Sequence, residues 1–428
     1  MLKLSIKVLL PLLIIISPVA GFIGYRLYLG RTASLLARGQ EAVQRGDFRE
    51  ASRLVEQLES KGQTDPARLL RCEALVSAGE AAARGEAKAP AKGPSPAQTL
   101  FRGALEQLEQ IPVDGPYGSR GSILAAQCLM HLHQQRLAEE RLQKIIERDP
   151  DNREAHRLLA GVYLDLNSRS RAVAEFREWA RLDPDNGLPY RWIGFFQKDY
   201  DAADEAIDAY NQALARHLTP DMHRAVLKEL AQTYLLMGKY QLALNTLAQR
   251  PADFAGDLDV LLTRAECFFS LRREGEAAKV LDAALSKHPD EPRLLRLRAQ
   301  VFTSEDKPEK ARPLLEKAAQ LDAYDLRTQL LLLDTYRQLK NEKLVARQTQ
   351  HMEAVRNLRT RLTALTTGAD QQPWNDRLRV EIAELCVQIH ATDAARTWLR
   401  AALACNPANT QAQELLAKLP ADRSASAR

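Results

Sequence analysis

Small residues recur along this chain at a nearly constant interval. Ala138, Ala172, Ala206, Ala243, Ala277 and Ala311 are separated by 34, 34, 37, 34 and 34 residues. Twelve positions before each stands another small residue: Ala126, Ala160, Gly194, Ala231, Ala265 and Ala299. Self-similarity at such a period marks stacked supersecondary units and is sought before single elements are assigned. In the stretch from Arg153 to Asn186, His156, Leu159, Ala160 and Tyr163 share one helical face. Ala172, Phe176 and Trp179 share another, and Pro184 then stops the chain. Each unit is therefore expected to be a hairpin of two helices. The same template places units near Thr32, Ala67, Ser119, Arg153, Gly187, Arg224, Leu258, Pro292, Leu326 and Asp376.

Two units depart from the template. In the second, 18 extra residues lie between the helices, about 80–97, in a mixture of Ala, Lys, Pro and Gly. Poor in large apolar groups, this stretch is expected to be a flexible loop. In the ninth, the second helix runs on through Met352, Val355, Leu358 and Leu362, with a turn expected about Thr366 to Pro373. A helix from Thr410 to Leu419 would cap the array, and 420–428 is expected to be a disordered tail.

The 34-residue period, with its set of aromatic, small and late proline positions, resembles the tetratricopeptide repeat family, in an N-terminally membrane-anchored bacterial form. The resemblance implies an all-α superhelical solenoid of about ten hairpins plus a capping helix, spanning residues 32–419, behind one N-terminal transmembrane helix. The anchor, residues 1–31, is read from the sequence itself. From Val8 to Tyr25 no charged residue occurs, a run of 18, which as a helix would extend about 27 Å against a ~30 Å hydrocarbon core. Pro18 disfavours cleavage after Ala20, and the apolar run continues through Phe22 and Ile23, so an uncleaved anchor through residues 8–25 is preferred over an export signal. Lys3 and Lys7 face Arg26, Arg31 and Arg38 across the span. The positive-inside rule therefore leaves orientation balanced, and the default for a short N-terminal side puts the repeats outside the cytoplasm.

A hairpin cannot bury its apolar stripe alone, so neighbours stack into a continuous core and leave a second stripe uncovered. On each first helix, positions 2, 5, 9 and 12 form that stripe. In tetratricopeptide proteins it lines the concave, peptide-binding groove. Here it holds Arg120, Arg157, Arg191, Lys198, Lys228, Arg293, Arg296, Arg327, Arg337 and Arg377, against Glu154, Asp259, Glu266, Asp334 and Glu384. The whole chain carries 60 basic and 55 acidic residues, so the stripe is richer in positive charge and suits acidic or carboxylate-bearing segments. Lys228 with Gln232, and Arg296 with Gln300, have the spacing at which a base and an amide grip one carboxylate. Phe195 and Phe269 lie on the same stripe as candidate anchors.

Other chemistry finds little footing. Charge is spread without a long basic block, so nucleic acid is not an expected partner. Cys72, Cys128, Cys267, Cys386 and Cys405 form no C-x-x-C pair and read as core residues, with a Cys386–Cys405 bridge conceivable in an exported protein. His131 and His133 point away from each other on a helix, and the strings Asp149–Asn152 and Asp183–Asn186 fall where turns and caps belong. No phosphate loop, metal site or nucleophile set is recognised, so no cofactor, metal or catalytic residue is expected and the chain reads as a scaffold rather than an enzyme. Two rival settings remain: a soluble exported peptide binder released by cleavage, and a cytoplasmic-side adaptor recruiting an enzyme to the membrane.

Overall fold

The computed structural model describes residues 32–85, 95–198 and 202–420. The expected anchor at 8–25, the centre of the expected flexible insertion and the tail after 420 lie outside the described residues. Among the described residues no helix is long and apolar enough to cross a membrane.

The described chain is helical and divides into two compact units, Met1–Leu158 and Leu159–Arg428. The first contains α1 (residues 32–44) with α2 (Phe48–Ser60), α3 (Thr64–Gly85) with α4 (Pro96–Leu108), and α5 (Gly118–His131) with α6 (Gln135–Arg148). The boundary falls within α7 (Arg153–Asp165), which α8 (Arg169–Leu182) follows in the chain. The second unit continues with α9 (Gly187–Gln197) and α10 (Ala203–Leu214), α11 (Pro220–Leu236) and α12 (Tyr240–Ala248), then α13 (Leu258–Ser270) and α14 (Glu274–Leu285). It ends with α15 (Pro292–Ser304) and α16 (Pro308–Leu321), α17 (Leu326–Gln338) and α18 (Glu342–Gln371), α19 (Asp376–Gln388) and α20 (Thr392–Cys405), and the unpaired α21 (Thr410–Lys418). The first helix of each hairpin is called its A helix and the second its B helix.

The periodic small residues are the contacts between A and B helices. Ala160, Ala231 and Ala299 on A helices, and Ala138, Ala172, Ala206, Ala243, Ala277 and Ala311 on B helices, are all 0% exposed. A methyl group at these places lets two helix backbones approach, while Leu and Phe between them fill the core. In the first unit Phe101, Leu69 and Cys128 share one cluster, and in the second Leu262, Leu281 and Leu294 share another.

Tight A-to-B turns hold the hairpins closed. Gly46, His133, Asn167, Gly238, Arg272, Asp306, Lys340 and His390 all take the left-handed conformation at this turn. The next amide then bonds back five residues, as Ser168 N to Tyr163 O at 2.8 Å and Asn341 N to Tyr336 O at 3.0 Å. This satisfies carbonyls that the A helix leaves without donors. The B-to-A junctions are capped from the other side: Asn152, Asn186, Asp257, Asp325 and Asn375 each accept from an amide of the following A helix, and Asn409 likewise from α21. The two Asp-Pro-Asp-Asn strings are such junctions, where Asn152 and Asn186 also donate to Asp149 and Asp183 at 3.0 Å.

Two boundaries differ from expectation. Residues 80–85 are helical, not loop, because the Ala-rich sequence after Gly79 has high helix propensity and simply extends α3. Likewise α18 continues to Gln371, so the chain turns only over residues 372–375; Val355 and Ala369 are buried on this extension and hold it. Cys386 and Cys405 are free thiols rather than a bridge, and Cys405 Sγ instead donates to Pro373 O at 3.3 Å.

Candidate functional site

The A helices line the inside of the curvature. Within the second unit α9, α11, α13 and α15 each pack on the next A helix as well as on their own partner. Arg327 on α17 reaches Glu266 on α13 at 3.3 Å, skipping a whole hairpin. Side chains two hairpins apart can meet in this way only where a surface is concave.

Along that surface in the second unit most of the candidate bases are engaged by acids. Arg191 makes a bidentate contact with Glu229, at 2.7 and 3.2 Å, and lies 5.2 Å from the Trp192 ring centroid. Lys228 faces Asp257 at 3.2 Å and Asp259 at 3.8 Å. Asp259 also receives Arg293 at 3.0 Å, which is in turn bonded to Glu291 at 2.7 Å. Arg296 is 8% exposed and sits 3.1 Å from Asp325. Arg337 pairs with Asp334 on its own helix at 3.1 Å. Lys198 lies 4.2 Å from the Phe195 ring centroid, and Phe195 meets Trp192 edge to face. Arg377 is exposed and makes no ion pair among the described residues.

The positive excess read from the sequence is thus largely neutralised within the fold. Glu229 falls at the sixth position of its repeat, and Asp257 and Asp325 are helix caps; none belongs to the stripe on which the bases were counted. Acids at Asn-type cap positions next to a basic stripe are the signal that would have revealed them. The two base-and-amide clamps are affected differently. Gln232 and Gln300 are half-buried, but Arg296 is turned into its ion pair with Asp325, whereas Lys228 remains about a third exposed beside two carboxylates. Phe269 is half-buried and packs against the core of its own hairpin and the next.

In the first unit the inward surface of α1, α3 and α5 forms a groove of about 600 Å³. At its centre Glu73 Oε1 accepts from Arg120 Nε at 2.7 Å and from Gln40 Nε2 at 3.3 Å, linking three successive A helices. Burial raises the Glu73 pKa above the usual glutamate range, against the pull of Arg120. Arg157 is held by Glu154 on its own helix in a bidentate contact. The sequence pattern named Arg120 but missed Glu73 and Gln40. Nearby, His131 stacks on Phe101 with ring centroids 4.2 Å apart and approaches Glu80 at 3.5 Å, which pulls the Glu80 pKa down.

The thiols are not poised for nucleophilic chemistry. Burial pushes Cys72, Cys128 and Cys267 up to about 12 and Cys386 and Cys405 up to about 11, so each stays protonated near neutral pH. Among the described residues no group of three or more His, Cys, Asp or Glu side chains is arranged to hold a metal ion.

Family models agree with the periodicity. One described as tetratricopeptide repeat matches residues 124–187 and 262–325, and another of the same description matches residues 346–419. The chain carries tetratricopeptide repeats in these segments. No curated protein matches the sequence. Similar solved structures include YrrB, a TPR protein with an unusual peptide-binding site, at 18% identity over 44% of this chain and 95% of that one, with a TM-score of 0.37. A tetratricopeptide repeat protein from Parabacteroides merdae is 13% identical over 62% of this chain and 98% of its own, with a TM-score of 0.40. The APC/C hetero-tetramer Cut9-Hcn1 matches at 12% identity over 93% of this chain and 92% of that one, with a TM-score of 0.37.

Proposed function

We propose that this protein is a membrane-anchored scaffold, not an enzyme, that holds protein or peptide partners on the concave faces of its tetratricopeptide repeats. One observation carries the reading: charged groups on successive A helices, from the largely buried Arg191 to the exposed Arg327, link into one continuous inward stripe. A stripe that repeats with the fold suits an extended chain, which repeats likewise. The partner is a segment bearing carboxylates, because Asp259 and Glu266 already show the contacts such a group would make with Lys228, Arg293 and Arg327. Exchange of one carboxylate for another needs no rebuilding of the site.

The run from Val8 to Tyr25 supports the anchor, and the default orientation sets the repeats outside the cytoplasm, where they would serve assembly or recruitment in the cell envelope. Capture of partners by the full-length protein, compared with the double reversal R293E/R327E, tests the groove. Both side chains are about half exposed or more, so the fold tolerates their reversal, whereas Arg296 is buried and unsuitable. Partners retained by the double variant would overturn the assignment. Reporters active on one side of the membrane, fused to the C-terminus, test the orientation, and an internal signal would make the protein a cytoplasmic-side adaptor.

A further inference from the structure

In the second unit an arginine occupies a core position. Arg379, the fourth residue of α19, is 0% exposed, at the place that holds the buried Leu227 and Leu295 in other hairpins. Its guanidinium is satisfied by main-chain carbonyls alone. Nη1 donates to Gln372 O and Asn375 O, each at 3.1 Å, and Nη2 to Ala369 O at 3.4 Å. Nε and Nη2 donate to Leu166 O at 3.0 and 2.6 Å, across 213 residues of sequence. Ala369 lies in the last turn of α18 and Leu166 follows α7, so one cation stands at two helix C-termini, where carbonyls lack donors and partial negative charge collects. Beside it the inverse contact occurs. Asp370 Oδ1 accepts from Ser170 N at 3.2 Å and Ser168 Oγ at 3.5 Å, placing an acid at the N-terminus of α8.

The position of these residues in their hairpins fixes what the contact means. Leu166 to Ser170 form the A-to-B turn of the fourth hairpin, and residues 369–379 the B-to-A junction between the ninth and tenth. In a ribbon of stacked hairpins all A-to-B turns lie along one edge and all B-to-A junctions along the other. Opposite edges of one ribbon meet only after it has coiled through a turn and laid one edge upon the other. The contact is polar: the apolar cluster around α19 and α20 includes no residue of the fourth hairpin. Polar, locally satisfied contacts of this kind open far more readily than a packed core.

We propose that Arg379 and Asp370 form a clasp closing the slot between successive turns of the second unit, so that its concave groove admits an extended polypeptide segment and exchanges it when the clasp opens. This rests on the concave face being the partner site, but its test needs no partner. The full-length protein carrying Q300C in the groove is treated with a polymer-tailed maleimide and, in parallel, with a small maleimide, and modification at position 300 is followed by peptide mapping. In R379M the Ser170 amide, which Arg379 does not touch, should exchange its hydrogen about tenfold faster or more, because loss of the buried charged donors raises the open fraction. In both R379M and D370A, polymer labelling at position 300 should rise severalfold while small-reagent labelling stays constant; D370N, which keeps the acceptor, should stay near the parent. Unchanged Ser170 exchange in R379M with unchanged polymer labelling in both variants overturns the clasp. Faster exchange without faster polymer labelling overturns its role as a gate. If R379M does not fold, D370A leaves α19 intact, and its labelling rate decides. Failure to find a partner would count against the proposed function and leave these rates unaffected.

Discussion

The helix contact at Gly194 offers a test of how closely this fold is packed. In the fifth hairpin Gly194 stands where other repeats carry Ala, and it faces Tyr210, a ring 0% exposed. A Cβ at Gly194 would lie 2.9 Å from both Cδ1 and Cε1 of that ring and 3.0 Å from Cγ. Contact between carbon atoms is optimal near 3.5–4.0 Å, so the ring would have to move by several tenths of an ångström inside a filled core. Two terms oppose each other in G194A. Replacing glycine in a helix interior gains about 1 kcal/mol, while forcing a methyl into a packed contact costs about 1–3 kcal/mol. The variant should therefore be less stable by up to about 2 kcal/mol.

The companion change makes this decisive. In most repeats with Ala at this place the residue sixteen positions on is Leu, as Ala265 with Leu281 and Ala299 with Leu315, and in the fourth hairpin it is Phe176. Y210L alone opens space beside Gly194 and should cost about 2–3 kcal/mol. In G194A/Y210L the new methyl enters that space, so the pair should be more stable than the sum of its parts by about 1–3 kcal/mol. Urea unfolding of the four proteins gives the cycle. Hydrogen exchange across α9 and α10 should accompany it, because repeat arrays need not unfold in one step. Additivity within about 0.5 kcal/mol, or a G194A variant more stable than its parent, would refute the packing argument.

Three further outcomes are expected. Lys340 is exposed and takes φ of 53° at an A-to-B turn; K340G should raise the unfolding midpoint by the equivalent of about 0.5–1 kcal/mol, since glycine adopts this conformation without strain. E229A should lower stability by about 3 kcal/mol by stranding Arg191, whose side chain is 15% exposed, whereas R191M/E229L should come closer to the parent in the same urea assay. Glu73 has its pKa raised by burial in the folded state, so its stabilising contribution is complete at low pH and is lost as pH rises through the folded pKa. E73Q should accordingly gain stability relative to the parent between about pH 4 and pH 7, and an unchanged difference in midpoint across that range would remove Glu73 as the cause.

What could be read from the sequence, and what could not, follows from the range of the interactions. The hairpins were legible because each depends on residues close in the chain: Ala265 and Ala277 share one core across a single turn, as Ala299 and Ala311 do a repeat later. The groove bases were visible for the same reason, since they follow the A-helix period. Of their partners, Asp259, Glu266 and Asp334 lie on the same stripe and were visible, whereas Glu229, Asp257 and Asp325 were not, because they approach from the next repeat at positions with other duties, two of them as helix caps. The helical start of the insertion was missed because a lack of large apolar groups was read as disorder, although Ala81, Ala82 and Ala83 favour a helix. Arg379 gave no signal, since its carbonyl partner at Leu166 lies 213 residues upstream and carbonyls carry no sequence identity. Polar residues at the same position elsewhere did hint at a role: His156 contacts Pro150 O at 3.0 Å, and Gln329 donates to Ala323 O at 2.8 Å.

The internal pairing of the groove also changes how a partner should respond to salt. A bare basic groove binds an acidic chain by releasing its counterions, and its affinity falls steeply as salt rises. Here Lys228, Arg293 and Arg327 already hold Asp259, Glu291 and Glu266, so an incoming carboxylate replaces an acid of the protein itself. Salt then weakens the free state and the bound state alike, and the difference between them changes little. Binding would owe its strength to Phe195 and Trp192 and to the extended backbone, with charge setting the register. The captured partner's affinity should thus vary by less than about threefold between about 0.05 and 0.3 M salt, and should fall by more than tenfold in F195A. A steep decline with salt, joined to an indifferent F195A, would show that the pairs in the free groove are too weak to matter and that net charge governs recognition.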